Sequence, residues 1–141
     1  MISFTYPAEI KQDEGGFFLV SFRDIPFAVT DSTTLEGALE EAADCLSEAL
    51  ASCIEDNEVI PLPSAAQTGE YMISPVALIA AKAALYLVAR EQGITKTALA
   101  GRIGVSEAVG RRLLDSRYQT KLVKIDEALH VMGKQMVIGL A

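Results

Sequence analysis

Residues 99–121 read LAGRIGVSEAVGRRLLDSRYQTK and predict two short helices joined by a tight turn. Thr95 or Thr97 can cap the first helix and Ser106 the second, because such side chains accept hydrogen bonds from free backbone amides. Gly104 permits the reversal, since glycine adopts positive φ without steric cost. This order is typical of a helix–turn–helix, whose second helix enters the major groove of DNA. A pair of purely structural helices has the same spacing, and this alternative stays open.

The second predicted helix and the residues after it carry the groups expected at DNA. Small or polar side chains near the helix start can approach base edges, and the cations can reach bases or phosphates. The candidate residues are Ser106, Glu107, Ala108, Gly110, Arg111, Arg112, Arg117, Gln119, Thr120 and Lys121. Binding by one copy is expected to be weak, because phosphate repels Glu107. A homodimer or higher oligomer that reads two half-sites is therefore expected.

Charge is distributed unevenly along a chain of 141 residues whose formal net charge is −7. Residues 1–81 hold two cations and 14 acidic residues, a net charge of −12, whereas residues 82–141 hold ten cations and five acidic residues, a net charge of +5. Acidic side chains that merely solvate a helix explain part of this asymmetry but not the reversal of sign. The pattern predicts two partners of opposite charge, one for each half.

The first half has the pattern of an antiparallel sheet covered by one helix. Residues 2–6 alternate as a strand, residues 11–16 (KQDEGG) form a turn, residues 17–24 form a second strand, and about 27–30 a third. Thr33 or Thr34 can cap a helix with an apolar stripe at three- and four-residue steps: Leu35, Leu39, Ala42, Leu46, Leu50 and Cys53. The outer face of this helix is acidic, with Glu36, Glu40, Glu41, Asp44 and Glu48. Residues 70–74 (EYMIS) can add a further strand.

Composition divides the chain into a domain over residues 1–74 and an all-α domain over residues 75–141. Two prolines and a glycine over about 61–69 predict a linker. Helix-forming residues follow Pro75, and a long helix is expected to end at Gly93. The fold class is therefore α+β, an antiparallel sheet with a packed helix followed by the helix–turn–helix domain.

Several function classes are excluded by the residue types. The longest apolar run is broken by Lys82 and ends at Arg90, so it predicts a buried helix and no membrane partner. The N-terminus has no signal-peptide pattern, so a cytoplasmic protein is expected. Cys45 and Cys53 are eight residues apart in one helix, too far for a disulfide. With a single histidine, no metal site and no cofactor are expected.

The order of these blocks resembles the HicB-type antitoxins of HicAB toxin–antitoxin systems, in the subgroup with a C-terminal helix–turn–helix of the Cro/repressor type. The resemblance covers nearly the whole chain. The matching blocks are DEGGFFLVSFRDIPF (13–27), VTDSTTLEGALEEAADCLSEAL (29–50), IPLPS (60–64) and KAALYLVAREQGITKTALAGRIGVSEAVGRRLLDSRYQTKLVKIDEALHVMG (82–133).

The resemblance implies an N-terminal domain with a partial ribonuclease-H-like fold that neutralises a small basic HicA-like ribonuclease toxin, and a C-terminal domain that binds operator DNA and represses its own operon. Candidate toxin contacts are Asp24, Phe27, Asp31, Glu36, Glu40, Glu41 and Asp44. Nuclease chemistry needs several carboxylates that converge on two metal ions. Nothing in the sequence indicates such convergence, so no enzymatic activity is expected. A stand-alone helix–turn–helix regulator, whose N-terminal domain senses a ligand or mediates assembly, is the alternative.

Overall fold

The computed structural model describes all residues from Met1 to Ala141 and confirms the α+β class, with a four-stranded antiparallel sheet and five helices. The chain divides into two compact units, Met1–Ala80 and Ala81–Ala141. The sheet belongs to the first unit, and the short helices belong to the second. No helix has the length and apolar character needed to cross a membrane.

The sheet has the strand order β3-β2-β1-β4, with β1 (Tyr6–Gln12), β2 (Phe18–Ser21), β3 (Val29–Ser32) and β4 (Tyr71–Ile73). Strand β1 changes partner along its length: residues 6–8 pair with β4, and residues 9–12 pair with β2. Pro7 lies in the first part, opposite Met72. A proline fits there because β1 pairs only with β4 at that point, so the missing amide removes no hydrogen bond to a second neighbouring strand.

Two predicted strand positions were wrong. The first strand was expected over residues 2–6 and lies at Tyr6–Gln12; the third was expected over about 27–30 and lies at Val29–Ser32. Phe4 and Tyr6 are buried as the alternation suggested, but Ile2 is exposed. The alternation of apolar residues predicts which side chains are buried, whereas the turn between β1 and β2 determines which residues of the two strands pair. The amide of Asp13 donates to the Phe17 carbonyl at 2.8 Å, and this closes the β1–β2 hairpin.

Helix α1 (Leu35–Glu55) covers one face of the sheet and contacts all four strands. Thr34 is its N-cap, and the side chain accepts from the Gly37 amide at 3.0 Å. The predicted stripe is buried from Ala42 onward, whereas Leu35 in the first turn is exposed. The opposite side of α1 is left to the acidic residues.

The proline-rich segment 61–69 is not a free linker. It lies within the first unit between α1 and β4, and hydrogen bonds hold it to the strand region. The Tyr6 hydroxyl donates to the Pro61 carbonyl at 2.7 Å, and both carboxylate oxygens of Asp24 accept from Ser64. Composition alone could not reveal this, because prolines suit a bound extended segment as well as a mobile one.

The second unit is built from the later part of α2 (Ala77–Glu91) and from α3 (Lys96–Ile103), α4 (Glu107–Leu113) and α5 (Leu122–Val131). Helix α3 contacts both α4 and α5. The core of the second unit is formed by large side chains from all four helices: Leu85, Leu99, Leu113, Ile125 and Leu129. Gly93 has a φ of 66° and follows α2, as its place in the sequence predicted.

Candidate functional site

Helices α3 and α4 are joined by three residues whose conformations match those expected from the sequence. The Thr95 hydroxyl accepts from the Ala98 amide at 3.1 Å, so Thr95, and not Thr97, caps α3. Gly104 ends α3 with a φ of 79°, and the Ser106 hydroxyl accepts from the Val109 amide at 3.3 Å. These caps fix the ends of both helices and therefore the direction in which α4 leaves the turn.

Gly110 lies on the side of α4 that faces α3, so the structure does not place it with the exposed candidates for DNA contacts. The residue is buried. A Cβ at this position would lie 2.6 Å from the Cβ of Ala100 and 2.9 Å from the carbonyl oxygen of Lys96. Glycine is needed there because the two helices approach too closely for any side chain.

The cations after Ser106 are all exposed, and Arg111 and Arg112 contact neighbouring side chains of the same surface. Arg111 lies 3.9 Å from the Glu107 carboxylate, which also accepts from the Thr97 hydroxyl at 3.2 Å. The Arg112 guanidinium lies over the Tyr118 ring at 5.3 Å. Further exposed residues of this surface are Ser106, Arg117, Gln119 and Lys121, and Ala108 is partly exposed. The structure thus brings the predicted DNA contacts, apart from Gly110, to α4 and the connection after it.

Thr120 has a structural partner that the sequence did not predict. Lys82, in α2, is 1% exposed and donates through Nζ to the Thr120 hydroxyl at 2.6 Å and to the Arg112 carbonyl at 2.7 Å. Burial lowers the pKa of Lys82 to about 8, and the nearby Asp115 carboxylate acts in the opposite direction. The available signal was a single lysine that interrupts the apolar run of α2 before Arg90.

The candidate toxin contacts do not form one patch. Glu36, Glu40, Glu41 and Asp44 are exposed on the outer side of α1. Asp31 is exposed on β3 beside Leu19 and Val29, in a shallow depression on the sheet that also includes Glu9 and Lys11. Phe27 is 58% exposed in the loop before β3.

Asp24 is separate from both groups, because it is engaged within the first unit by Ser64. The neighbouring Arg23 guanidinium donates to the Glu70 carboxylate at 2.9 and 3.0 Å, and this lowers the pKa of Glu70. These two acidic residues hold the proline-rich segment and the start of β4. The Asp24 carboxylate thus stabilises the proline-rich segment of the first unit, in addition to being a candidate toxin contact.

No group of three or more His, Cys, Asp or Glu side chains is arranged to hold a metal ion. Cys45 and Cys53 are free thiols, as their spacing predicted. Burial raises the pKa of both thiols, so the reactive thiolate form is disfavoured.

Comparisons with known proteins identify a single family. Residues 5–84 match the model of the HicB_like antitoxin of bacterial toxin–antitoxin systems. Antitoxin HicB 1 of Photorhabdus laumondii subsp. laumondii is 34% identical over 96% of this chain and 86% of its own length. Antitoxin HicB of Escherichia coli strain K12 is 34% identical over 93% of this chain and 95% of its own.

Antitoxin HicB of Pseudomonas fluorescens strain Pf0-1 is 31% identical over 99% of this chain and 95% of its own length. The family model covers the sheet, α1 and the start of α2, whereas these relatives also align with the second unit. Both units of the chain are therefore part of the shared architecture. The chain belongs to the HicB-like antitoxin family of bacterial toxin–antitoxin systems.

Proposed function

We propose that this chain neutralises a HicA-like mRNA-cleaving toxin through residues 1–74 and represses its own operon by binding operator DNA through residues 75–141. The observation that carries the proposal is the reversal of charge between the two units. Residues 1–80 have a net charge of −12 and residues 81–141 a net charge of +5. An enzyme that binds RNA needs a cationic surface, whereas DNA is a polyanion, so each unit attracts a different partner.

The exposed acidic side of α1 is the surface we assign to the toxin. Four of its carboxylates, Glu36, Glu40, Glu41 and Asp44, lie on one helix that is packed against the sheet. No lysine or arginine lies between Asp24 and Ala81, so no cation within α1 weakens this field. Complementary charge of this kind speeds association and selects the partner. We further propose that the sheet and α1 form the partial ribonuclease-H-like fold of the family, used for binding and not for catalysis.

Helices α3 and α4 are the helix–turn–helix in this proposal, with α4 as the recognition helix. Three features support this assignment: the capped three-residue connection, the close contact between Gly110 and Ala100, and the exposed cations of α4 and the residues after it. Arg111 lies one turn along α4 from Glu107 and is the candidate for base contacts, whereas Arg112, Arg117 and Lys121 are candidates for phosphate contacts. A second copy would supply the second half-site.

The direct test combines the chain with the product of the adjacent reading frame. We expect the two to co-purify and the chain to suppress mRNA cleavage by that product in vitro. We also expect the full chain to shift a duplex from the region upstream of its own gene, with an affinity that falls steeply as salt is raised. A chain that neither binds the neighbouring product nor shifts the duplex at low salt would contradict the proposal.

A further inference from the structure

The connection between α4 and α5 is closed by a buried cation. Lys82 Nζ donates to the Arg112 carbonyl, in the last turn of α4, and to the Thr120 hydroxyl, two residues before α5. The Thr120 hydroxyl also lies 3.4 Å from the same Arg112 carbonyl. Three groups from three parts of the chain thus meet at one point, and the residues between 112 and 120 form a loop with tied ends.

The loop carries several of the groups that we assign to DNA. Arg112 and Thr120 are its ends, Arg117 and Gln119 lie within it, and Lys121 follows it directly. The Arg112 side chain stacks on Tyr118 of the same loop. A change in the distance between the loop ends would therefore move several phosphate contacts together.

Burial of the Lys82 ammonium has a large desolvation cost. Lys82 is 1% exposed within the apolar run of α2 that precedes Arg90, and removing its charge from water is unfavourable. A cation is nevertheless favoured at the carboxyl end of a helix, where carbonyls lack amide partners, and its hydrogen bonds are about twice as strong as those of a neutral donor. The unfavourable free energy of burying the ammonium is explained if function requires a defined conformation of the loop.

We propose that Lys82 is a positioning residue for DNA binding, which holds the 112–120 loop in the conformation that contacts the phosphate backbone without itself touching DNA. This inference rests on the proposed repressor function. It assigns a role to a side chain that lies outside the exposed surface, and it predicts that operator affinity depends on a proton held in the interior of the unit.

The test compares Lys82→Met with Lys134→Met in the full chain, on a duplex from the upstream region. Methionine keeps the length of the side chain but not the ammonium, and Lys134→Met removes the same charge from an exposed position outside the loop. We expect Lys82→Met to lose about tenfold more affinity than Lys134→Met at pH 7. We also expect hydrogen exchange of amides 112–121 to become faster in Lys82→Met only, with no DNA present.

A pH series separates the ammonium from simple packing. Because burial lowers the pKa of Lys82 to about 8, the affinity ratio of wild type to Lys82→Met is expected to fall as the pH passes from 7 to 9.5. Asp115, which raises this pKa, is the charged group that acts on the ammonium. A ratio that stays constant with pH, or equal affinity of the two methionine variants at pH 7, would overturn the proposal.

Two controls keep the test decisive. If Lys82→Met does not fold, Thr120→Val removes one partner of the ammonium and leaves Lys82 in place; unchanged affinity and unchanged exchange in that variant would also overturn the inference. If the wild-type chain binds no upstream duplex, the proposed repressor function fails. Exchange of amides 112–121 then still shows whether Lys82 fixes the loop.

Discussion

Gly110 lies where α4 crosses α3, and its missing Cβ sets how closely the two helices approach. A methyl group there would lie 2.6 Å from the Ala100 Cβ and 2.9 Å from a backbone oxygen that cannot rotate away. Gly101, in the middle of α3, has no atom within 4 Å of the equivalent position. The two glycines therefore have opposite expected responses to the same substitution.

Gly110→Ala is expected to destabilise the second unit. Overpacking costs about 1–3 kcal/mol, and this exceeds the roughly 1 kcal/mol that alanine gains in helix propensity. Gly101→Ala is expected to stabilise the same unit by up to about 1 kcal/mol. Urea unfolding of both variants beside the wild type measures the difference. A Gly110→Ala chain that unfolds at the wild-type urea concentration would show that the helices can separate at no cost.

The buried Lys82 predicts a pH dependence of stability with an unusual direction. Its pKa is about 8 in the folded chain, below the ordinary value of 10.5. Between these values the unfolded chain binds the extra proton, so the free energy of unfolding rises with pH. Relative to Lys82→Met, the wild-type chain is expected to gain stability from about pH 8 to 10.5. Denaturant unfolding at several pH values tests this, and a wild type that loses stability relative to the variant would contradict it.

At the scale of elements, the proline-rich segment 61–69 behaves as part of the sheet domain. Asp24 holds it through Ser64, and Arg23 holds it through the Ala65 carbonyl and Glu70. The exposed carboxylate of Asp31 makes no such contact with the segment. Asp24 therefore stabilises the proline-rich segment, whereas Asp31 on β3 does not.

Asp24→Ala is expected to release the segment. Removal of the carboxylate leaves the Ser64 amide and hydroxyl without their acceptor, so proteolytic cleavage between residues 61 and 69 is expected to become faster. Asp31→Ala, which removes an exposed carboxylate of the same unit, is expected to leave the cleavage rate unchanged. Limited proteolysis followed by mass spectrometry provides the measurement. Equal cleavage rates in the two variants would show that the segment is held by other contacts.

Elements with a capped, periodic pattern could be predicted from sequence, and elements fixed by long-range pairing could not. Thr34, Ser106 and Gly104 mark helix ends by local chemistry, and each was found where expected. The bounds of β1 depend on pairing with β4, which follows nearly half the chain length later. The structural roles of Gly110 and Lys82 were missed for the same reason, because they depend on residues in other helices.

Opposite net charges on the two units make the two proposed binding functions separable. Glu40 and Glu41 are exposed on α1, and Arg111 and Arg112 are exposed on α4. Neither pair contributes to a buried core, so substitutions there change the surface field without disturbing the fold. Two double variants can thus test both halves of the proposed function in one experiment.

Glu40→Lys with Glu41→Lys is expected to weaken toxin binding about tenfold or more, because like charges then face the cationic partner. Its DNA affinity is expected to stay at the wild-type level or rise slightly. Arg111→Ala with Arg112→Ala is expected to lose operator affinity, with a shallower dependence on salt, and to keep full toxin neutralisation. Titration of each variant with both partners measures the four affinities. Loss of both partners in either variant would contradict the assignment of one function to each unit.

The change of partner along β1 has a consequence for how the chain is made. Residues 6–8 are synthesised before α1, yet their partner strand, residues 71–73, is completed only after α1 and the proline-rich segment have been made. Until then the early part of β1 presents an open backbone edge, which other chains can join. A newly made chain is thus exposed to misassembly at this edge until β4 has been synthesised, before the cationic helices α3 and α4 exist.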